Sequence, residues 1–156
     1  MSATGSAPRP TAPYLHRLRV RYAETDQMGV VHHGSYVLYL EEARTRMMAD
    51  DGMSYAALER AGIGLAVRRV ELRYRLPAYY EEELVIATRV ERVRAASVLL
   101  AYEVRRDAGA GDELVADGSS ELACVDLRHK PAPPRVLPDE LRAAFEARIE
   151  LGRGAR

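Results

Sequence analysis

The stretch from Arg21 to Arg44, RYAETDQMGVVHHGSYVLYLEEAR, holds the residues best suited to chemistry. Glu24 and Asp26 fall in a turn-rich segment containing Gly29 and Gly34. His32 and His33 stand just ahead of a helix predicted over Ser35–Asp50. A helix start presents backbone N–H groups without intrahelical partners, and the partial positive charge of the helix dipole. Such groups suit a carbonyl oxygen that becomes an oxyanion. A carboxylate beside them could attack that carbonyl or activate water. The parts fit acyl transfer. The single cysteine, Cys124, lies far from this segment, and no Gly-x-Ser-x-Gly elbow is present, which argues against a serine hydrolase of that class. Taken alone, Asp26 also reads as a loop aspartate that bonds its own turn.

The elements around the segment must position it. His16–Ala23 alternates Leu18, Val20 and Tyr22 with Arg17, Arg19 and Arg21, the period of a half-buried strand. In the following helix Ser35 or Gly34 serves as cap. Val37, Leu40, Arg44 and Met47, widened by Tyr36 and Ala43, give it a broad apolar side. Asp51-Gly52 ends it, and Ser54–Ala61 reads as a short second helix stopped by Gly62. The rest is largely strand: Arg69–Leu76, then runs led by Leu84–Val90 and Val98–Val104, a glycine-rich hairpin at Asp107–Asp112, and Leu114–Leu127. Prolines crowd Lys130–Pro138, and a peripheral helix is expected over Asp139–Leu151. One strand, one deep helix and a run of antiparallel strands make an α+β domain. A curved sheet around the helix is the simplest cover for it.

The 156-residue chain is one domain's worth of sequence. We expect a disordered leader over residues 1–13, rich in Ser, Thr, Ala and Pro, and a single domain over 14–150. Charge is balanced at 23 basic and 23 acidic residues, which argues against a nucleic-acid partner. No apolar run reaches the length of a membrane span. The lone cysteine fits a reducing compartment, and a cytoplasmic location is expected.

The segment resembles the 4-hydroxybenzoyl-CoA thioesterase family of hotdog-fold proteins. It is most similar to the bacterial acyl-CoA thioesterase branch that includes the Tol–Pal-associated enzymes. The matching residues are Tyr22-x-Glu24-Thr25-Asp26, Met28-Gly29-Val30-Val31, His33, Tyr36, Glu41 and Ala43-Arg44. Weaker similarity runs on to Val125-Asp126 and Lys130-Pro131. The resemblance implies a five- or six-stranded antiparallel sheet wrapped around the long helix. It also implies a homodimer, often paired into a tetramer, with active sites at the subunit interface. By match, Asp26 is the catalytic carboxylate, and His33 supplies the N–H that polarises the thioester carbonyl. Gly29 and Val30 shape the pocket, and Tyr36 joins it. Glu41 is the backup carboxylate, or else the partner of Arg44 at i+3. The substrate implied is an acyl-CoA, with coenzyme A entering as part of the substrate and no separate cofactor.

Arg92, Arg94 and Ser97 flank a predicted strand-to-strand turn and are candidates for the phosphates of coenzyme A. No metal site is expected: adjacent His32 and His33 are poorly placed to share one ion, and no three-ligand spacing accompanies them. Two rival functions remain from the residues: an acyl-carrier-protein thioesterase with the same catalytic parts, and a non-catalytic acyl-CoA-binding protein.

Overall fold

The computed structural model describes residues 13–107, 109 and 111–153; the expected leader lies outside them except for Pro13. The elements are β1 (Tyr14–Arg19), a 3₁₀ turn (Tyr22–Glu24), α1 (Ser35–Asp50), α2 (Tyr55–Arg60), β2 (Ile63–Tyr74), β3 (Glu83–Val93), β4 (Ser97–Asp107), β5 (Asp112–Asp126) and α3 (Asp139–Arg153). All five strands form one antiparallel sheet in the order β1-β3-β4-β5-β2. This is the hotdog arrangement, with the curved sheet over α1.

Alternation sorts the sheet's faces. Leu84, Ile86 and Val90 of β3, Val98, Leu100, Tyr102 and Val104 of β4, and Leu122 and Cys124 of β5 are buried. Against them α1 buries Tyr36, Tyr39, Leu40, Ala43, Arg44, Met47 and Met48. Val37, expected on the stripe, is exposed. It lies roughly 100° round the helix from Tyr36 and off the Tyr36–Leu40–Ala43–Met47 line; Tyr39 and Met48 widen the stripe instead. The buried Tyr102 hydroxyl is satisfied by Ser120 Oγ at 2.7 Å.

Two element boundaries and the packing of one helix differ from expectation. The first strand stops at Arg19 rather than Ala23. Val20 is still buried and donates its N–H to Glu82 O, but the chain then folds into the 3₁₀ turn, so Tyr22 points outward at 76% exposure. β2 begins at Ile63, six residues before the alternation becomes visible, and carries a bulge between Val67 and Arg69. α3 is less peripheral than expected, because Leu141 and Phe145 are buried in the core cluster. No helix among the described residues is long and apolar enough to cross a membrane.

Candidate active site

The chain between β1 and α1 is a closed loop. Thr25 and Val31 form an antiparallel bridge, and Asp26 N donates to Val30 O at 2.9 Å. Inside that closure Gly29 N returns to Asp26 O at 2.9 Å, making a tight turn. Gly29 sits at φ +80°; a side chain there would meet no neighbour, so the backbone angle is what demands glycine. Asp26 Oδ1 accepts from Met28 N at 2.9 Å. The turn-forming habit of aspartate is therefore present, and it leaves Oδ2 without a donor among the described residues.

The far end of the loop forms the helix start. His32 N donates to Glu24 O at 2.8 Å, and Ser35 N donates to His32 O at 2.9 Å. Gly34 N donates to His32 Nδ1 at 3.0 Å. That leaves His33 N–H, which finds no acceptor among the described residues. An uncommitted amide beside a helix N-terminus is the donor that a developing oxyanion requires. The His33 ring is exposed and lies against His32, with centroids 4.1 Å apart.

Asp26 and His33 line one cleft of about 300 Å³, together with Val30, Tyr36, Tyr74, Leu76 and Pro77. Its walls are mostly apolar, as an acyl group would need. Burial, with Tyr74 adjacent, pushes the Tyr36 phenol up to about 12, so it is neutral at ordinary pH. A comparable depression on the sheet's outer face is lined by charged side chains such as Glu71, Glu103 and Asp117. These are paired with Arg69, Arg105 and Arg75, so that depression has a charged lining where the cleft has mostly apolar walls.

Of the residues expected at the site, Asp26, Val30, His33 and Tyr36 meet at the cleft, and Gly29 forms the turn behind Asp26. The other four do not reach it within one chain. Glu41 is 57% exposed on α1, 4.0 Å from the buried Arg44. Arg92 and Arg94 are exposed at the Val93 end of β3, whereas the cleft adjoins the loop before Glu83. Ser97 is buried, and its carbonyl accepts from Arg94 N at 2.8 Å. Sequence reasoning missed Tyr74, Leu76 and Pro77, which arrive through the pairing of β2 with β5. Glu24, which the sequence places in the turn-rich segment, is buried and multiply bonded.

Comparison with known proteins fits this geometry. Residues 20–145 match the family model of the thioesterase-like superfamily, and the chain belongs to that family. YneP of Bacillus subtilis is 35% identical over 130 residues, spanning 83% of this chain and 92% of that protein. The acyl-CoA thioester hydrolase YbgC of Escherichia coli O157:H7 is 34% identical over 130 residues, with the same shares covered. Among solved structures, the DHNA-CoA thioesterase of Staphylococcus aureus superposes with a TM-score of 0.80 at 30% identity, covering 91% of this chain and 94% of that one.

Proposed function

We propose that this chain hydrolyses acyl-CoA thioesters, with Asp26 as the working carboxylate. The observation that carries the reading is that His33, whose N–H has no acceptor among the described residues, lines the same cleft as Asp26. The thioester carbonyl oxygen sits on that N–H, which stabilises the negative charge developing there. Asp26 acts in one of two ways. As a nucleophile it forms a mixed anhydride, the C–S bond breaks and CoA leaves as thiolate; water then cleaves the anhydride. As a general base it takes a proton from water, whose oxygen attacks the carbonyl directly; the C–S bond then breaks and CoA leaves as thiolate. Both routes give free acid and CoA.

The complete site is a property of a dimer in this reading. β2 is an edge strand of 12 residues, and it leaves Val67 and Val70 exposed. A long edge strand with exposed valines invites pairing with another strand. Two β2 edges pairing antiparallel about a twofold axis set the Ile63 end of one beside the Tyr74 end of the other. The arginines at the end of β3 then approach the partner's cleft. Arg68 bonds to Glu121 there and, with Arg92 and Arg94 near, holds its carboxyl below the usual range. Three guanidiniums around one carboxylate leave positive charge for the phosphates of CoA.

The test is thiol release from a panel of acyl-CoAs by wild type and Asp26→Asn. Turnover that falls by roughly 10²-fold or more, with fold and oligomer intact, is the expected result. Full activity in Asp26→Asn would remove Asp26 as catalyst and turn attention to Glu41. No turnover by the wild type on any acyl-CoA would direct the search to carrier-bound acyl groups or to binding without hydrolysis.

A further inference from the structure

We propose that Glu24 is a positioning residue for the hydrolysis, setting the Asp26 turn against the His33 N–H. The inference rests on the reading of Asp26 and His33 given above. Glu24 is only 8% exposed, and it does not line the cleft. Its bonds go to the helix-start half of the site and to Arg21, while the chain itself joins it to the Asp26 half. The Glu24 carbonyl accepts from His32 N at 2.8 Å and from Ser35 Oγ at 3.1 Å, one residue before His33 and two after it. Oε1 accepts from Tyr39 OH at 3.1 Å, one turn further along α1, and from Arg21 N at 2.7 Å. Oε2 accepts from the Arg21 guanidinium at 3.2 and 3.3 Å.

Only Thr25 separates Glu24 from Asp26, and Thr25 has little freedom. Its hydroxyl donates to Tyr22 O at 2.7 Å, and it is bridged to Val31. Any rotation of Glu24 therefore moves the Asp26 turn relative to the helix start. Ser35 and Tyr39 lie at i and i+4, so Glu24 grips one side of α1 at two points. A buried carboxylate that satisfies this many donors is costly to disturb, because each lost partner leaves a polar group unpaired. Glutamine in its place would keep one acceptor and turn an amide N–H₂ toward the Arg21 guanidinium or the Arg21 backbone N–H, both of which only donate.

The test compares wild type, Glu24→Gln, Tyr39→Phe and the double variant in acyl-CoA hydrolysis. Each is measured for kcat, KM, melting temperature and oligomeric state, with Asp26→Asn alongside. A small misplacement of reacting groups costs up to about 10²-fold in rate. Glu24→Gln should lose roughly 10–100-fold in kcat with KM within about 2-fold. Tyr39→Phe should lose roughly 3–10-fold, and the double variant should be no worse than Glu24→Gln, because both changes cut one network. Unchanged kcat in folded Glu24→Gln, or fully additive losses in the double variant, would overturn the proposal. Should Glu24→Gln fail to fold, Tyr39→Phe alone decides, and unchanged kcat there is equally fatal. If Asp26→Asn keeps full activity, the underlying reading has failed and Glu24 has no such pair to position.

Discussion

The phenol of Tyr74 donates to the carbonyl of His33 across 2.9 Å, tying the last residue of β2 to the turn that opens α1. The same ring packs edge-on against Tyr36, with centroids 5.3 Å apart. The proposed oxyanion donor is thus braced from the sheet side as well as from Glu24. Tyr74→Phe removes the hydrogen bond and keeps the ring. One neutral hydrogen bond is worth roughly 0.5–1.5 kcal/mol, and Tyr74 is half-exposed, so the fold should barely notice. We expect the melting temperature to hold while kcat falls about 2- to 10-fold in thiol release. An unchanged kcat would mean that His33 is held from the Glu24 side alone.

The parts of the site that are contiguous in sequence were legible there; those delivered by strand pairing were not. α1 has the expected bounds, Ser35–Asp50, because Gly34-Ser35 and Asp51-Gly52 are local signals at its two ends. Asp26 and His33 share one short loop, so their approach to the helix start follows from local chain geometry. Tyr74 and Pro77 lie some forty residues on, and their arrival depends on β2 crossing to the far edge beside β5. No local pattern encodes that crossing. The first residues of β2, Ile63–Arg68, lack clean alternation and precede a bulge, so the strand was read as starting late. Arg92 and Arg94 were recognised as suited to phosphate, but composition cannot tell which end of β3 faces the cleft.

Gly118 is where β5 and β2 approach most demandingly. It pairs with Leu72, and a Cβ added to it would land on the Glu71 carbonyl oxygen. That atom is backbone in a paired strand, so the strain cannot be relieved by a side-chain rotation. Gly118→Ala should destabilise the fold by about 1–3 kcal/mol, in the range of overpacked core positions. Denaturant unfolding of the variant beside the wild type checks this. A cost under about 0.5 kcal/mol would show that the two strands can separate freely there.

Asp126 gives a pH dependence with a definite sign. Its carboxylate accepts from Arg128 Nε at 2.9 Å, Nη2 at 2.8 Å and the Arg128 backbone N–H at 3.0 Å. These bonds, led by the side-chain pair, hold its carboxyl well below the ordinary carboxylate range. A depressed folded value stabilises the protein above the unfolded pKa, near pH 4, and that contribution is lost as pH falls through the folded value. Asp126→Asn should therefore lower the melting temperature at pH 7, and the gap from wild type should close as the pH drops below about 4. A gap that stays constant across that range would mean the loss is one of packing and hydrogen bonding, not of charge.

The edge of β2 carries the remaining prediction. Val67 and Val70 are 48% and 37% exposed, and their cross-strand partners on β5, Leu122 and Ser120, are buried. The sheet face that α1 covers is therefore left open along its β2 border. A 12-residue edge strand with exposed valines and one side unpaired is the kind of edge that soluble chains either cover or charge. Here the outward charges are already neutralised in part, Arg68 by Glu121 and Arg69 by Glu71, so they offer little repulsion against a second copy. The wild type should sediment as a dimer or a multiple of it. Val67→Glu combined with Val70→Glu should place like charges face to face across the twofold and shift the protein to monomer. Hydrolysis should fall in step, because in the proposed site the arginines that meet the CoA phosphates belong to the other subunit. A wild type that is monomeric and fully active would refute both the interface and the shared site. A double variant that dissociates yet keeps its KM for acyl-CoA would spare the interface and return phosphate binding to residues near the cleft of the same chain, Arg75 first among them.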